Sequence, residues 1–313
     1  MQDTQPSKRK SVSLKIKIMA LLNKNFLNSL VSIGEEKQVH RHKEFVCHAT
    51  GFIVGFIAKN SKDITKRRYF LFLVTNRHVF DKKDFVDLRF NTKDGKTKIF
   101  RQGLFFPTKE PRWLAHRFTN VDVALLNISP KILEDNNIAY ISLPEELFAF
   151  SKDFPKIGIE TGDGVYVLGF PLGISGKIQN FGCAKWGIIS RVDKEIIREN
   201  KSFLIDSSIF PGNSGGPVIL RPEIASLENT TPVNKPHVVG VVSGYIPYTD
   251  YLKSIQTGKT VSSSEENSGL ATVVPMEFVR EVFKTWRKKQ KKIEKPQEVK
   301  EKINENHPTN KKN

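Results

Sequence analysis

Short apolar runs alternate with polar turns along most of the chain, and this pattern predicts a protein built from β-strands. The runs are bounded by Gly, Pro, Asn or Lys-rich turns. One series comprises Leu30–Ile33, Gly51–Ala58, Tyr69–Thr75, Val86–Phe90 and Val121–Ile128; a second comprises Gly164–Gly169, Lys185–Val192, Ser202–Asp206, Pro217–Leu220, Val238–Ser243 and Leu270–Val274. Because a polar connector near residues 142–162 separates the two series, we expect two packed β-barrels, at about 30–145 and 160–275.

Two segments have apolar residues at helical spacing instead. Residues 14–30 predict a short amphipathic helix, and Pro275–Lys284 predicts a helix that docks on the second barrel. Beyond this second helix the composition turns to Lys, Glu, Asn and Gln. We therefore expect a basic, partly helical N-terminal segment (1–29), an all-β body with its C-terminal helix (30–285) and a basic disordered tail (286–313).

The net charge of +17 would suggest a nucleic-acid-binding protein, but its distribution weakens that interpretation. Residues 1–45 carry +5 and residues 284–313 carry +7, so only +5 remains for the body of the chain. A run of basic residues such as 287–292 is typical of a solvated tail. We expect at most weak binding of acidic partners through it.

Features that accompany export or membrane insertion are missing from the sequence. Cys47 and Cys183 are the only cysteines, fewer than disulfide-stabilised secreted proteins usually carry. Asn and Lys interrupt the apolar residues after Ile18, which leaves no signal-peptide core, and no stretch approaches the roughly 18 apolar residues that span a bilayer. These observations predict a cytoplasmic protein with no membrane span.

The strongest chemical signal is a serine in a glycine-rich turn, Pro211-Gly212-Asn213-Ser214-Gly215-Gly216-Pro217. The glycines allow a sharp turn that exposes the Ser214 hydroxyl and aims the amides of Gly212 and Ser214 at one point, as in an oxyanion hole. The alternative interpretation is a glycine-rich hairpin without chemistry. A serine nucleophile would also need a base, because a free hydroxyl is a poor nucleophile at neutral pH.

His78 and Asp122 are the candidates for base and orienting carboxylate. His78 directly follows the apolar strand Phe70–Val74, and Asp122 lies between Val121 and Val123, where a carboxylate needs a hydrogen-bond partner. Considered alone, His78 could equally be a buried structural histidine. Together with Ser214, however, the order is His, Asp, Ser with gaps of 44 and 92 residues, close to the gaps of about 45 and 93 in the chymotrypsin triad.

In these residues the chain resembles the trypsin-like serine peptidases of the chymotrypsin superfamily. Within them it is similar to the HtrA/DegP-like branch, over about residues 30–285, on the stretches 49–54, 162–173, 186–190 and 269–275. The resemblance implies a chymotrypsin-type double β-barrel, a serine endopeptidase activity with His78, Asp122 and Ser214 as triad, and no metal or cofactor. Only about 30 polar residues follow the last helix, so we expect no PDZ domain.

The resemblance also implies how a peptide substrate would bind. Ser243, Gly244 and Tyr245 would pair with its backbone, and Ser208, six residues before Ser214, would lie at the base of the primary specificity pocket. Because Ser208 is uncharged, we expect a small or medium apolar residue before the scissile bond. HtrA-like proteins often form trimers, which makes residues 14–33 a candidate contact for a homo-oligomer.

Several alternatives remain open at this stage. The chain could be a catalytically silent or partner-activated module that binds peptides on a protease fold. His40, His42, Cys47 and His48 could bind zinc, but their spacing matches no zinc pattern and their alternation suggests an exposed strand or hairpin. Two polar insertions, residues 223–236 and 245–268, are expected to be loops that flank the groove.

Overall fold

The computed structural model describes residues 22–59, 61, 63, 67–223 and 232–305, with side chains described as far as Lys291. Its strands are β1 (Leu30–Val39), β2 (His42–Lys59), β3 (Arg68–Thr75), β4 (Phe85–Asn91), β5 (Thr97–Gly103), β6 (Trp113–Ala115), β7 (Ala124–Ile128), β8 (Leu143–Pro144), β9 (Gly164–Gly169), β10 (Cys183–Arg191), β11 (Phe203–Asp206), β12 (Pro217–Leu220), β13 (Val238–Lys253) and β14 (Thr260–Pro275). Its α-helices are α1 (Lys24–Asn28), α2 (Arg77–Phe80), α3 (Pro130–Asp135), α4 (Phe154–Ile157), α5 (Lys194–Asn200) and α6 (Met276–Glu305).

The first half of the chain forms an eight-stranded sheet that curls into a half-barrel. Its strand order is β5-β4-β1-β2-β3-β7-β6, and β8 pairs with β2 in parallel. The strands that the apolar pattern predicted lie at its centre, where alternate side chains fill one buried cluster. This arrangement places the end of β3 and the start of β7 side by side, since Thr75 pairs with Ala124.

The second half forms a closed barrel of six strands in the order β10-β11-β14-β13-β12-β9. Val, Ile and Phe side chains from all six strands fill its interior. With the half-barrel it confirms the predicted all-β fold of chymotrypsin-type double-barrel architecture. The protein differs from an ideal double barrel in that its first sheet is not closed.

A third buried cluster joins the two halves, and α6 contributes much of it. Met276, Phe278, Val279, Val282 and Phe283 from α6 pack with residues of β2, β3, β12 and β13. The Phe283 ring stacks on Phe56 of β2, with 4.0 Å between ring centroids. The predicted C-terminal helix therefore exists and holds the halves together.

Three elements differ from the sequence-based expectations. The helix α6 continues to Glu305, where a disordered tail was expected from residue 286, because Lys, Glu and Gln are good helix formers. The segment 245–268, expected to be a loop, forms the outer halves of β13 and β14. The N-terminal helix covers only Lys24–Asn28 in the described residues, and residues 14–21 of the predicted helix lie outside them.

The other predicted insertion, residues 223–236, is described only in part, because residues 224–231 lie outside the described chain. None of the helices in the described ranges is both long and apolar enough to cross a membrane.

Candidate active site

His78 is held on a short helical turn at the end of β3. Asn76 begins this turn, and α2 follows with Val79 and Phe80 buried in the core of the half-barrel. These two anchors fix the backbone while the His78 side chain remains 52% exposed. The turn therefore presents an imidazole in a fixed place on an accessible surface.

Asp122 lies directly before β7 and faces His78. Its neighbours Val121 and Val123 are fully buried, which fixes the backbone on both sides of the carboxylate. The Oδ2 atom is 2.7 Å from the His78 ring Nδ1, and the Oδ1 atom accepts a 3.1 Å hydrogen bond from the His78 backbone N–H. Since an ionised carboxylate only accepts, Nδ1 carries the proton and Nε2 keeps its lone pair.

Ser243 of β13 connects this pair to Ser214. Its hydroxyl donates a hydrogen bond to Asp122 Oδ2, while its backbone carbonyl accepts a 3.1 Å hydrogen bond from the Ser214 hydroxyl. Burial would by itself raise the pKa of Asp122, but the hydrogen bonds from His78 and Ser243 outweigh it and hold that pKa below its ordinary value. The carboxylate is therefore ionised at neutral pH.

The glycine-rich turn brings Ser214 to the junction of the two halves. The Thr50 N–H of β2 donates to the Ser214 carbonyl at 2.9 Å, and the Gly215 N–H donates to the Val242 carbonyl at the same distance. Gly215 has a φ of +84°, and a Cβ there would lie 2.2 Å from the Thr50 carbonyl oxygen. Only glycine fits this position, so the close approach between the barrels requires it.

Gly212 shapes the turn on the other side of Ser214. Its φ is +98°, and a Cβ on it would lie 2.2 Å from the Phe170 carbonyl oxygen. Within the described residues, neither the Gly212 N–H nor the Ser214 N–H donates to a protein acceptor. Two unoccupied amide donors flanking a serine hydroxyl could bind a developing oxyanion.

Thr50 locks this turn in place. Its hydroxyl donates to the Gly212 carbonyl at 2.6 Å and accepts a 3.0 Å hydrogen bond from the Phe170 N–H. The Thr75 hydroxyl in turn donates to the Thr50 carbonyl at 2.8 Å. Two buried threonines of the half-barrel thus fix the serine loop, whose residues belong to the second half of the chain.

The structure brings His78, Asp122 and Ser243 into direct contact and links Ser214 to them through Ser243. The Ser214 hydroxyl donates to the Ser243 carbonyl, and no hydrogen bond joins it to His78 in the described structure. If the two act as nucleophile and base, a missing hydrogen bond is ordinary, because such contacts are commonly long in unliganded enzymes and shorten when substrate binds.

The remaining candidate residues lie on both sides of the serine loop. Gly244 and Tyr245 follow Ser243 on β13, where Gly244 has open space beside its Cα and the Tyr245 side chain is 37% exposed. Ser208 is also exposed, while its neighbours Ser207 and Ile209 are buried. The structure therefore groups Ser243, Gly244 and Tyr245 along one strand and places Ser208 at the surface.

The residues considered for zinc lie on the β1–β2 hairpin. Its strands pair as far as Val39 and His42, as the alternating pattern suggested. His48 Nε2 lies 3.0 Å from Glu35 Oε1, and the Cys47 side chain is buried. Among the side chains that the structure describes, no three His, Cys, Asp or Glu residues converge where they could hold a metal ion.

Sequence reasoning missed two roles at this site. Ser243 was predicted only to bind substrate, yet its hydroxyl contacts Asp122, and Thr50 was quoted only as part of a resembling stretch. Both roles depend on contacts between residues more than 100 positions apart. No local pattern could have indicated them.

Comparison with protein-family models agrees with this fold. A family model described as "Trypsin-like peptidase domain" matches residues 49–223, which is more than half of the chain and includes His78, Asp122 and Ser214. A search of curated proteins found no match.

Among solved structures, the serine endoprotease from Yersinia pestis is 15% identical with a TM-score of 0.42, over 84% of this chain and 64% of that one. This chain thus spans less than two thirds of the length of that protein. A protease from M. tuberculosis, solved in an active form, is 19% identical with a TM-score of 0.36, over 82% of this chain and 80% of that one. By the family match, the chain belongs to the family of trypsin-like peptidase domains.

Proposed function

We propose that this protein is a serine endopeptidase that cleaves peptide bonds through an acyl-enzyme intermediate. The observation that carries the proposal is the hydrogen-bonded set in which Ser243 links the Asp122–His78 pair to Ser214. The narrower assignment to the HtrA-like branch rests on the sequence stretches alone. The protease unit would be residues 30–285.

In the proposed reaction, His78 Nε2 takes the proton of the Ser214 hydroxyl as its oxygen bonds to the substrate carbonyl carbon. The carbonyl oxygen becomes an oxyanion and accepts hydrogen bonds from the Gly212 and Ser214 amides. The imidazolium, stabilised by ionised Asp122, then protonates the leaving amine as the peptide C–N bond breaks. A water molecule, deprotonated by His78, attacks the acyl carbon and releases Ser214.

The Ser214 hydroxyl must give up its hydrogen bond to Ser243 and turn toward His78 before it can react. The backbone of each residue is held in place, that of His78 by buried Val79 and Phe80 and that of Ser214 by the Thr50 N–H, so we expect this turn to be a side-chain rotation. The freed Ser243 carbonyl would then be available to a substrate backbone N–H. Substrate binding and activation of Ser214 would therefore be coupled through one carbonyl.

The test is intact-mass analysis after treatment with a fluorophosphonate probe. We expect one adduct on the wild type and on Ser129→Ala, a matched control that removes an exposed serine before α3 whose side chain caps nothing, and none on Ser214→Ala or His78→Ala. Peptide cleavage by the same four proteins should follow the same order. Equal labelling of wild type and Ser214→Ala would refute the assignment of the nucleophile.

A second candidate function is peptide binding without cleavage. The hydrogen bond from Ser214 to Ser243 favours it, because it withholds the hydroxyl from His78. A folded wild type that binds unfolded polypeptide but takes up no probe, with or without a bound peptide, would support this alternative. Labelling that begins only on peptide addition would instead indicate substrate activation.

The basic ends of the chain are a separate matter. We propose cytoplasmic location, weak binding of acidic partners through the basic tail, and self-association through residues 14–33. Residues 14–21 of that segment lie outside the described structure. Light scattering with and without residues 1–21 would test self-association, and retention on heparin at rising salt would test the tail.

A further inference from the structure

The strand β13 has a long free edge that begins at the candidate active site. On one side β13 pairs with β14 along almost its whole length, to Lys253. On the other side it pairs with β12 only as far as Val241, and Val242 then bonds to Gly215 and Gly216. No other described strand pairs with this side of β13 from Ser243 onward.

Hydrogen bonds on the β14 side show which backbone groups face the free edge. The Gly244 carbonyl accepts a hydrogen bond from the Thr272 hydroxyl, and the Ile246 carbonyl accepts one from the Ser268 hydroxyl. Successive residues of a strand direct their backbone groups to opposite edges. The strand β14 bulges between Tyr245 and Pro247, since residues 268–270 lie outside the register, and the regular pairing resumes from Pro247 to Leu252. Because the extra residues are on β14, β13 keeps its alternation there, and we expect the groups of Tyr245, Pro247, Thr249 and Tyr251 to face the free edge.

Pro247 fits this orientation. A proline cannot donate to a ladder, so it is tolerated where its nitrogen faces an open edge. Its carbonyl still remains available on that side. Beyond Tyr245 the edge extends for about six residues, or roughly 20 Å at about 3.4 Å per residue.

The chemistry of acyl transfer decides which half of a substrate would meet this edge. His78 must protonate the leaving amine, so the carboxyl-terminal half of the peptide lies on the side of the half-barrel that carries His78. The amino-terminal half then lies over the second barrel. There it meets Ser243 first and the free edge of β13 next.

We propose that the outer half of β13 is an extended substrate-binding edge that takes an unfolded polypeptide with at least about nine residues on the amino-terminal side of the scissile bond. This inference rests on the proposed peptidase function and specifies its substrate class. The substrate adds an antiparallel strand to the hairpin. A folded protein surface or a short peptide could not form backbone hydrogen bonds along the whole edge.

The exposed side chains of the hairpin support a polypeptide occupant. Tyr248, Tyr251 and Leu252 are 55%, 63% and 62% exposed, which is unusual for three large side chains on one ribbon. Aromatic side chains on one strand make favourable contacts with the side chains directly opposite them on a neighbouring strand. An added strand would bury part of this apolar surface without requiring a particular sequence.

The first experiment compares two nested peptides from denatured β-casein that share one cleaved bond, with four and with ten residues before it. We expect kcat/KM to be at least about tenfold higher for the longer peptide, since four or five added backbone hydrogen bonds outweigh the ordering of the chain. N-methylation of single residues should remove the gain only at alternate positions, those whose N–H faces β13.

The second experiment shortens the hairpin. Residues 248–266 are replaced by Asn-Gly, because Pro247 and Asn267 pair directly and Asn-Gly favours a two-residue turn. The shortened protein should cleave the four-residue peptide at the wild-type rate and show no gain with the ten-residue peptide. An unchanged melting temperature and unchanged fluorophosphonate labelling serve as its controls.

Binding to Ser214→Ala separates this inference from the peptidase proposal. Fluorescence anisotropy should give a Kd at least about tenfold lower for the longer peptide, and no difference once the hairpin is shortened. If the wild type shows no cleavage and the difference in Kd remains, the peptidase proposal fails and the inference of a peptide-binding edge is supported. Equal affinities, equal kcat/KM, or a doubled mass in light scattering that depends on the hairpin would overturn the inference.

Discussion

Asp122 has three hydrogen-bond donors around it, and this concentration of donors explains how a single carboxylate can orient the site. The His78 ring and backbone N–H, together with the Ser243 hydroxyl, saturate most of its acceptor capacity. An asparagine in its place would offer one accepting oxygen and an NH2 group that only donates, so it could not accept at both of the places where Asp122 does. The tautomer of His78 should therefore depend on this carboxylate.

Replacement of Asp122 by Asn should lower kcat by about 10⁴-fold with little effect on the fold, because the imidazole would present the wrong tautomer. The measurement is kcat for peptide cleavage, with circular dichroism to monitor the fold. The matched control is Asp81→Asn, which changes an exposed carboxylate that pairs with Arg77 on the same turn. Near-native turnover by Asp122→Asn would mean that another carboxylate orients His78.

Asp87 is a second buried carboxylate, but it serves the fold. The Arg101 guanidinium donates to both of its oxygens, at 3.0 and 3.1 Å, and lowers the pKa of Asp87, although burial opposes this. A pKa that is lower in the folded state stabilises the fold above the unfolded pKa of about 3.9, and this stabilisation is lost as the pH falls below it.

Asp87→Asn should therefore reduce the free energy of unfolding at pH 7 by about 1–2 kcal/mol, a modest value because Arg101 is half exposed. The difference from wild type should shrink as the pH falls below about 4. Urea unfolding at a series of pH values measures it, and Asp135→Asn, at an exposed position at the end of α3, is the control. A difference that stays constant down to pH 3 would contradict the role of the charge.

At the scale of elements, the strands that are mostly buried could be predicted from the sequence, and the exposed ones could not. The strands β3, β7, β9 and β12 bury most of their side chains, which leaves a clear apolar run. The outer parts of β13 and β14 are solvent-exposed on both faces, so Ser, Thr and Glu in 260–268 resemble a loop. Hydrogen bonds between these two strands make them a hairpin. Such backbone hydrogen bonds produce no periodic pattern in the sequence.

The candidate site likewise has a part that could be predicted from the sequence and a part that could not. His78, Asp122 and Ser214 could be singled out as a candidate triad because each follows or precedes an apolar strand and the three have a characteristic order. The role of Thr50 could not be predicted, because it depends on hydrogen bonds of its hydroxyl with the Gly212 carbonyl and the Phe170 N–H, both on loops that are distant in the sequence. The contact of β2 with the serine loop is therefore the part of the site most worth testing.

Thr50→Val should keep the shape of the side chain but leave two buried backbone groups without partners. We expect kcat to fall by about 10- to 100-fold with a smaller change in KM, since an unsatisfied buried group costs about 1–3 kcal/mol and the Gly212 peptide would no longer be fixed. Thr50→Ser, which keeps the hydroxyl, is the matched control. Steady-state kinetics well below the melting temperature separates the two parameters, and equal kcat for both variants would contradict the role of the hydroxyl.

The whole molecule places the proposed catalytic groups on two different halves. His78 and Asp122 belong to the half-barrel, while Ser214 and Ser243 belong to the closed barrel, so the site exists only while the halves are held together. The sequence predicted α6 as a helix on the second barrel but gave no sign that it also packs on β2 and β3. Because α6 packs on both halves, we expect it to help hold the two parts of the site in register.

Phe283→Ala tests this role of α6. The ring is stacked on Phe56 and also contacts Phe72 and Trp286, so its removal leaves a cavity between α6 and the half-barrel. We expect the free energy of unfolding to fall by about 3–5 kcal/mol. We also expect kcat to fall under conditions in which the protein remains folded, because the distance between His78 and Ser214 is then less fixed. Ile132→Ala, at an exposed position of α3, should change stability by no more than about 0.5 kcal/mol. A destabilised Phe283→Ala protein with wild-type kcat would show that α6 stabilises the fold without positioning the triad.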